Sequence, residues 1–114
     1  KQYYTLTFGT DLIIDPLHRQ VLLKGSLLKL TRKEFNMLHF LASHPGQVFT
    51  REQLYTRIWG CDSDFNVDES VRSHIKFLRR KLASSGKEYI QTVWGIGYRF
   101  APQERDTASK IALR

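Results

Sequence analysis

The 114 residues make one domain by length, and 41% hydrophobic and 12% aromatic content is enough for a modest core, which argues against disorder. Aliphatic runs reach only three residues, as in Leu12-Ile13-Ile14 and Val21-Leu22-Leu23, so no membrane span can be built, and the single Cys61 excludes an internal disulfide. Lys and Arg number 18 against 11 acidic residues, a formal charge of +7 that suggests a polyanionic partner unless it serves solubility alone.

Residues 3–30 read as four short strands. Tyr4 to Phe8 alternates and breaks at Gly9-Thr10-Asp11, and Leu12-Ile13-Ile14 runs to a turn at Asp15-Pro16. Arg19 to Lys24 and Ser26 to Leu30 follow, separated by a turn at Lys24-Gly25. Tight turns between short strands predict an antiparallel meander with a packing role.

The texture changes at Thr31. Thr31-Arg32-Lys33-Glu34 has the form of a capping box, and Phe35, Leu38, Leu41 and Ala42 recur at helical spacing. This helix is predicted over about 31–44, ending at His44-Pro45-Gly46. Gln47-Val48-Phe49 is long enough for a bridging strand only. Thr50-Arg51-Glu52-Gln53 is a second capping box, opening a short helix over about 50–59 with Leu54 and Ile58 on one face. A polar loop occupies 60–66.

The third predicted helix, about 67–83, carries most of the functional signal. Val71, Ile75, Leu78 and Leu82 form one narrow apolar stripe. The opposite face holds Glu69, Ser73, Lys76, Phe77 and Arg80, with Ser70 beside it. Arg72 and Arg79 flank the stripe on one side, His74 and Lys81 on the other. Acids at the start and bases at the end complement the helix dipole, but that does not account for Phe77. An aromatic on a polar face is costly in water and useful against a base or a thymine methyl, or else makes a local packing contact. Residues 88–100 then read as a hairpin: Tyr89 to Val93 alternates, Gly95 and Gly97 allow a tight reversal, and Tyr98-Arg99-Phe100 returns.

From Leu30 to Phe100 these motifs together resemble the C-terminal effector domain of OmpR/PhoB-class two-component response regulators. The resemblance rests on Leu30-Thr31-x-x-Glu34-Phe35-x-x-Leu38 and on Pro45-Gly46-x-Val48-Phe49-Thr50-Arg51-x-x-Leu54. It rests also on Val71-Arg72-x-His74-Ile75-x-x-Leu78-Arg79-x-Lys81-Leu82 and on Ile90-x-Thr92-Val93-x-Gly95-x-Gly97-Tyr98-Arg99-Phe100. It implies an α+β winged helix-turn-helix over residues 1–100: a four-stranded N-terminal sheet, three helices and a C-terminal β-hairpin wing. Residues 101–114 fall outside it and read as a tail.

In that family the third helix lies in the major groove and the wing reaches the adjacent groove. The resemblance therefore implies base or groove contacts from Ser70, Ser73, His74, Lys76 and Phe77. It implies phosphate contacts from Arg51, Trp59, Arg72, Arg79 and Arg80, and wing contacts from Thr92, Trp94 and Arg99. The family often has Arg where Trp94 stands, and a Trp does not enter a narrow minor groove as a guanidinium does. Glu69 and Phe77 also replace frequently basic positions, so the sequence preference is expected to differ from that of better-known relatives.

The resemblance further implies tandem homodimers on direct-repeat promoter sites, cytoplasmic action in a phosphorelay, and a sensor kinase acting on a receiver domain absent from this sequence. The resemblance implies that the 60–66 loop faces RNA polymerase in activators; its Asp62, Asp64 and Phe65 give an acidic-aromatic surface suited to a basic partner patch, or else a solvated connector. The stretch Asp62-x-Asp64-x-Asn66 is not a calcium loop, because Val67 replaces the required Gly and Ser73 the closing Glu. His39 and His44 lack metal-ligand spacing to each other or to Cys61, and no nucleophile motif surrounds any Ser. No enzyme activity, metal or cofactor is expected. The sequence does not begin with Met or with a signal-like apolar run, and it reads as a fragment or processed piece. Other readings are a winged-helix protein-interaction module, binding of RNA or anionic membrane through bulk charge, and the DNA-binding part of a membrane-anchored one-component regulator.

Overall fold

The computed structural model describes residues 4–60 and 66–104. The N-terminal meander is present as β1 (Leu6–Phe8), β2 (Leu12–Asp15), β3 (Gln20–Leu23) and β4 (Ser26–Leu27), antiparallel in the order β1-β2-β3-β4. Its alternation sends Leu12, Ile14, Val21 and Leu23 into the core.

Three helices follow: α1 (Arg32–Ala42), α2 (Arg51–Trp59) and α3 (Val67–Leu82). Both expected capping boxes form. Thr31 Oγ1 accepts the Glu34 amide at 3.1 Å, and Glu34 Oε1 accepts the Thr31 amide at 3.0 Å. Thr50 and Gln53 make the same reciprocal pair at 3.1 and 2.8 Å. Each box satisfies donors that the first helical turn leaves orphaned.

A second sheet holds β5 (Phe49–Thr50), β6 (Lys87–Val93) and β7 (Gly97–Glu104) in the order β5-β7-β6. The sheets and helices share one core. α1 contributes Phe35, Met37, Leu38, Leu41 and Ala42, α3 contributes Val71, Ile75, Leu78 and Leu82, and the second sheet contributes Phe49, Ile90 and Phe100. The apolar stripe of α3 is therefore its buried face, and each of its four side chains contributes roughly 1.5–3 kcal/mol. The architecture is a winged helix-turn-helix, with β6 and β7 as the wing.

Two boundaries differ from expectation: β4 ends at Leu27, short of the expected Leu30, and the wing runs past Phe100. The hairpin does not end at Phe100, because β7 continues to Glu104, where Glu104 pairs with Lys87. Ala101-Pro102 looks like a strand end in sequence, yet the register jumps from Ile90↔Phe100 to Glu88↔Gln103. Ala101 and Pro102 thus lie together opposite Tyr89, in a bulge that tolerates a residue without an N–H.

The two wing glycines also have different jobs. Gly95 has φ +82° in the turn Val93–Ile96, closed by the Ile96 amide on the Val93 carbonyl at 2.9 Å, as a type II turn requires of its third residue. Gly97 is needed for close approach instead: a Cβ there would sit 1.9 Å from the Phe49 carbonyl oxygen.

Candidate nucleic-acid interface

The buried stripe of α3 fixes what its other face presents. Arg72, Lys76, Phe77 and Arg80 are exposed, and Ser73 is half-buried beside them. Lys76 and Phe77 lie three and four residues from Ser73, and Arg80 three and four from Phe77 and Lys76, so these side chains share one patch. Among the described residues, Arg72, Lys76 and Arg80 take part in no ion pair. The Arg80 guanidinium lies over the Phe77 ring, 5.7 Å from its centroid, and Phe77 remains 40% exposed.

Ser70, His74 and Trp59 lie at the side of this face, where α2 meets α3. His74 is half-buried and donates its Nδ1–H to the Ser70 carbonyl at 3.0 Å. The Trp59 indole is stacked on Tyr55 at 4.9 Å and meets the His74 ring edge-on at 4.8 Å. His74 therefore has only its Nε2 edge for an outside partner. Lys33, on the first turn of α1, places its ammonium 5.9 Å from the Trp59 ring centre and extends the cationic edge onto α1. The sequence reading missed Lys33. The available signal was two adjacent cations, Arg32 and Lys33, at a helix start, where the dipole disfavours them.

Four more of the expected contacts, Arg51, Arg79, Thr92 and Arg99, are engaged within the fold. The Arg51 Nε donates to Asp68 Oδ1 at 2.9 Å, joining the starts of α2 and α3. The Asp68 carboxylate raises the Arg51 pKa further above its ordinary value. Arg79 spends Nε and Nη2 on the Ile90 carbonyl at 3.2 and 3.0 Å, and Nη2 also donates to Thr92 Oγ1 at 2.7 Å. Its guanidinium lies over the Tyr98 ring at 5.6 Å. Arg79 and Thr92, expected as separate DNA contacts, thus bind each other. The Arg99 Nε donates to Gln91 Oε1 at 2.8 Å across the hairpin.

A groove of about 540 Å³ runs between α3 and the wing, with Arg79, Lys87, Gln91, Thr92, Trp94 and Arg99 among its walls. Trp94, at the wing tip, is 87% exposed. Asp62, Asp64 and Phe65 lie outside the described residues.

One further ion pair ties α3 to α1. Lys81 Nζ donates to Glu34 Oε1 at 2.6 Å and to the Lys29 carbonyl at 3.1 Å. Burial pushes the Glu34 carboxyl up, but the Lys81 ammonium and the Thr31 amide outweigh it and hold the pKa below the ordinary value. Sequence spacing gave no sign of this pair, because 47 residues separate the partners.

Among the described residues, no helix is long and apolar enough to cross a membrane, and no group of three His, Cys, Asp or Glu side chains gathers to hold a metal.

Comparison with known proteins places this geometry. The family model for "transcriptional regulatory protein, C terminal" matches residues 25–100. The chain is 48% identical over 88 residues to the transcriptional regulatory protein YclJ of Bacillus subtilis, covering 76% of this chain and 38% of that protein. It resembles the response regulator DrrB of Thermotoga maritima, an OmpR/PhoB homolog, with a TM-score of 0.76 and 37% identity, over 85% of this chain and 44% of that one. It also resembles the RstA DNA-binding domain of Klebsiella pneumoniae, solved in complex with the RstA box. There the TM-score is 0.73 and the identity 40%, over 85% of this chain and 96% of that one. The chain thus spans less than half the length of YclJ and of DrrB.

Proposed function

The chain belongs to the family of C-terminal domains of OmpR/PhoB-type transcriptional regulatory proteins, and on that premise we propose that it binds double-stranded DNA sequence-specifically as the output domain of a response regulator controlling transcription. The observation that carries this is the outward face of α3: three exposed cations without ion-pair partners among the described residues, one of which, Arg80, lies over the exposed Phe77 ring. Such a face suits the major groove, with Lys76 and Ser73 towards base edges and Arg72 and Arg80 towards phosphates. Ser70, His74 and Phe77 complete the groove-facing set, and Trp59 with Lys33 lies along the backbone. Arg51 offers phosphate only its remaining N–H groups, and Arg79 acts by holding the wing to α3. The wing, with Thr92, Trp94 and Arg99, lies against the neighbouring groove.

Phosphate contacts make affinity steeply salt-dependent, each adding about −0.9 to the log–log slope. A domain of this size binds one half-site weakly, so tandem occupancy of direct repeats by two copies supplies the rest through avidity. The working setting is the cytoplasm, with a sensor kinase phosphorylating a receiver domain outside this sequence. RNA polymerase is the proposed partner of Asp62, Asp64 and Phe65, on the family resemblance and on their acidic-aromatic chemistry, which suits a basic patch. The chemistry is binding, with no catalytic role for any residue.

Gel retardation of duplexes selected by this chain from a random pool tests the reading. Wild type retards them, and Lys76→Ala with Arg80→Ala weakens retardation at least tenfold. Retardation undiminished in the double variant contradicts the placement of α3, and failure to select any duplex favours a protein-interaction module. Single-stranded RNA or anionic vesicles competing as well as the selected duplex would point to binding by bulk charge.

A further inference from the structure

The wing carries its most exposed apolar side chains at its tip. Trp94 is 87% exposed and Ile96 53% exposed, on either side of Gly95 in the turn that closes the hairpin. Exposed indole is costly in water and suited to burial against a partner. The tip is also held rigidly. Gly97 packs against the Phe49 backbone with no room for a Cβ, and Arg79 fastens the Ile90 and Thr92 level of β6 to α3. A mobile tip could fold its indole back onto the body. This one is held out at the end of a groove that also contains Arg79, Lys87 and Arg99.

We propose that Trp94, backed by Ile96, is an apolar wedge that enters the minor groove beside the site read by α3 and opens it against the deoxyribose walls. The inference rests on the DNA-binding reading above and adds a mechanism to it. An indole is too broad for a narrow groove, so its entry requires the duplex to kink towards the major groove. Pyrimidine–purine steps such as TA and CA kink most cheaply, and A-tracts resist. The wing therefore selects for deformability at positions where it makes no base-specific hydrogen bond.

The test uses this 114-residue chain and duplexes it selects from a random pool, labelled at both ends for energy transfer. Wild type shortens the end-to-end distance on binding. Trp94→Ala binds about tenfold more weakly, leaves the duplex straighter, and keeps the wild-type salt slope because no phosphate contact is lost. Trp94→Arg recovers affinity but not the bend, with a slope steeper by about 0.9. Replacing a TA step under the wing by an A-tract weakens wild type and leaves Trp94→Ala indifferent. Unchanged affinity and unchanged bend in Trp94→Ala overturn the wedge while leaving the DNA-binding reading intact. So does a salt slope that flattens in that variant. If wild type selects no duplex at all, both fail. Trp94 lies outside the core, so its replacement does not unfold the domain.

Discussion

Arg79 on α3 and Thr92 on β6 are joined by a hydrogen bond of 2.7 Å, and the same guanidinium holds the neighbouring Ile90 carbonyl twice. α3 and the wing are therefore positioned as one unit, through a residue whose sequence position suggests a phosphate contact. Charge-assisted bonds of this kind are strong and directional, which suits the proposed docking into two grooves at a set spacing.

Arg79→Ala should accordingly weaken DNA binding through wing placement. Urea unfolding is expected to show a loss of about 1–2 kcal/mol, reduced from the full value of charged hydrogen bonds because Arg79 is exposed. The salt slope of DNA binding should stay near wild type. A slope flattened by about 0.9 would restore Arg79 to the phosphate contacts. Arg79→Lys should behave like the alanine variant, since one ammonium cannot reproduce the guanidinium fork.

Gly97→Ala should be among the most damaging single-methyl changes in the protein. The new Cβ meets the Phe49 carbonyl oxygen at 1.9 Å and the Thr50 Cα at 2.9 Å, all backbone, so β5 must part from β7. A loss of at least about 2 kcal/mol is expected by thermal or urea unfolding. Gly95→Ala strains only its own φ of +82° and should cost less, about 1 kcal/mol. Equal losses at the two positions would contradict the separate roles given to them.

The Glu34–Lys81 pair predicts an acid-side stability loss. The folded pKa of Glu34 lies below its ordinary value of 4.5. Its contribution is therefore complete above that value and fades as pH falls through the lower folded pKa. Glu34→Gln should lower stability at pH 7 by about 1–3 kcal/mol, because Lys81 keeps only the Lys29 carbonyl and partial solvent. The variant's stability should also be flatter with pH below 4.5. Parallel wild-type and variant curves through that range would rule the pair out as the source.

His39 acts in the same direction at higher pH. Burial lowers its pKa below the ordinary 6.5, and the Arg19, Arg57 and His44 charges lower it further. Between the folded value and 6.5 the unfolded chain binds more protons, so stability falls as pH is lowered through that window. His39→Phe keeps the stacking on Phe35, seen at 5.8 Å, and should remove this part of the pH dependence. An unchanged slope below pH 6.5 in the variant would assign it to another group.

Local rules carried most of the fold from sequence. Thr31/Glu34 and Thr50/Gln53 announced two helix starts, and the 71/75/78/82 stripe oriented the third helix, because capping and helical periodicity act within a few residues. What sequence hid is non-local. The capture of Glu34 by Lys81, the closeness of Gly97 to Phe49, and the spending of Arg79 on the wing all depend on contacts between distant segments. Continuation of β7 past Pro102 was hidden for a related reason: a proline reads as a strand end unless the bulge opposite Tyr89 is known. For the interface, the motif positions identified the α3 patch as a set, but not which cations the fold engages internally, as it does Arg51 and Arg79.

The central claim is that the outward face of α3 and the wing tip together form the DNA surface. Amide chemical-shift mapping of the isotope-labelled chain, titrated with a duplex it has selected, tests this most directly. Perturbations should concentrate on α3 around Ser70 to Arg80 and on the wing from Thr92 to Ile96, with smaller effects at Lys33 and Trp59. Perturbations centred on the β1–β4 sheet, with α3 and the wing tip unmoved, would contradict it.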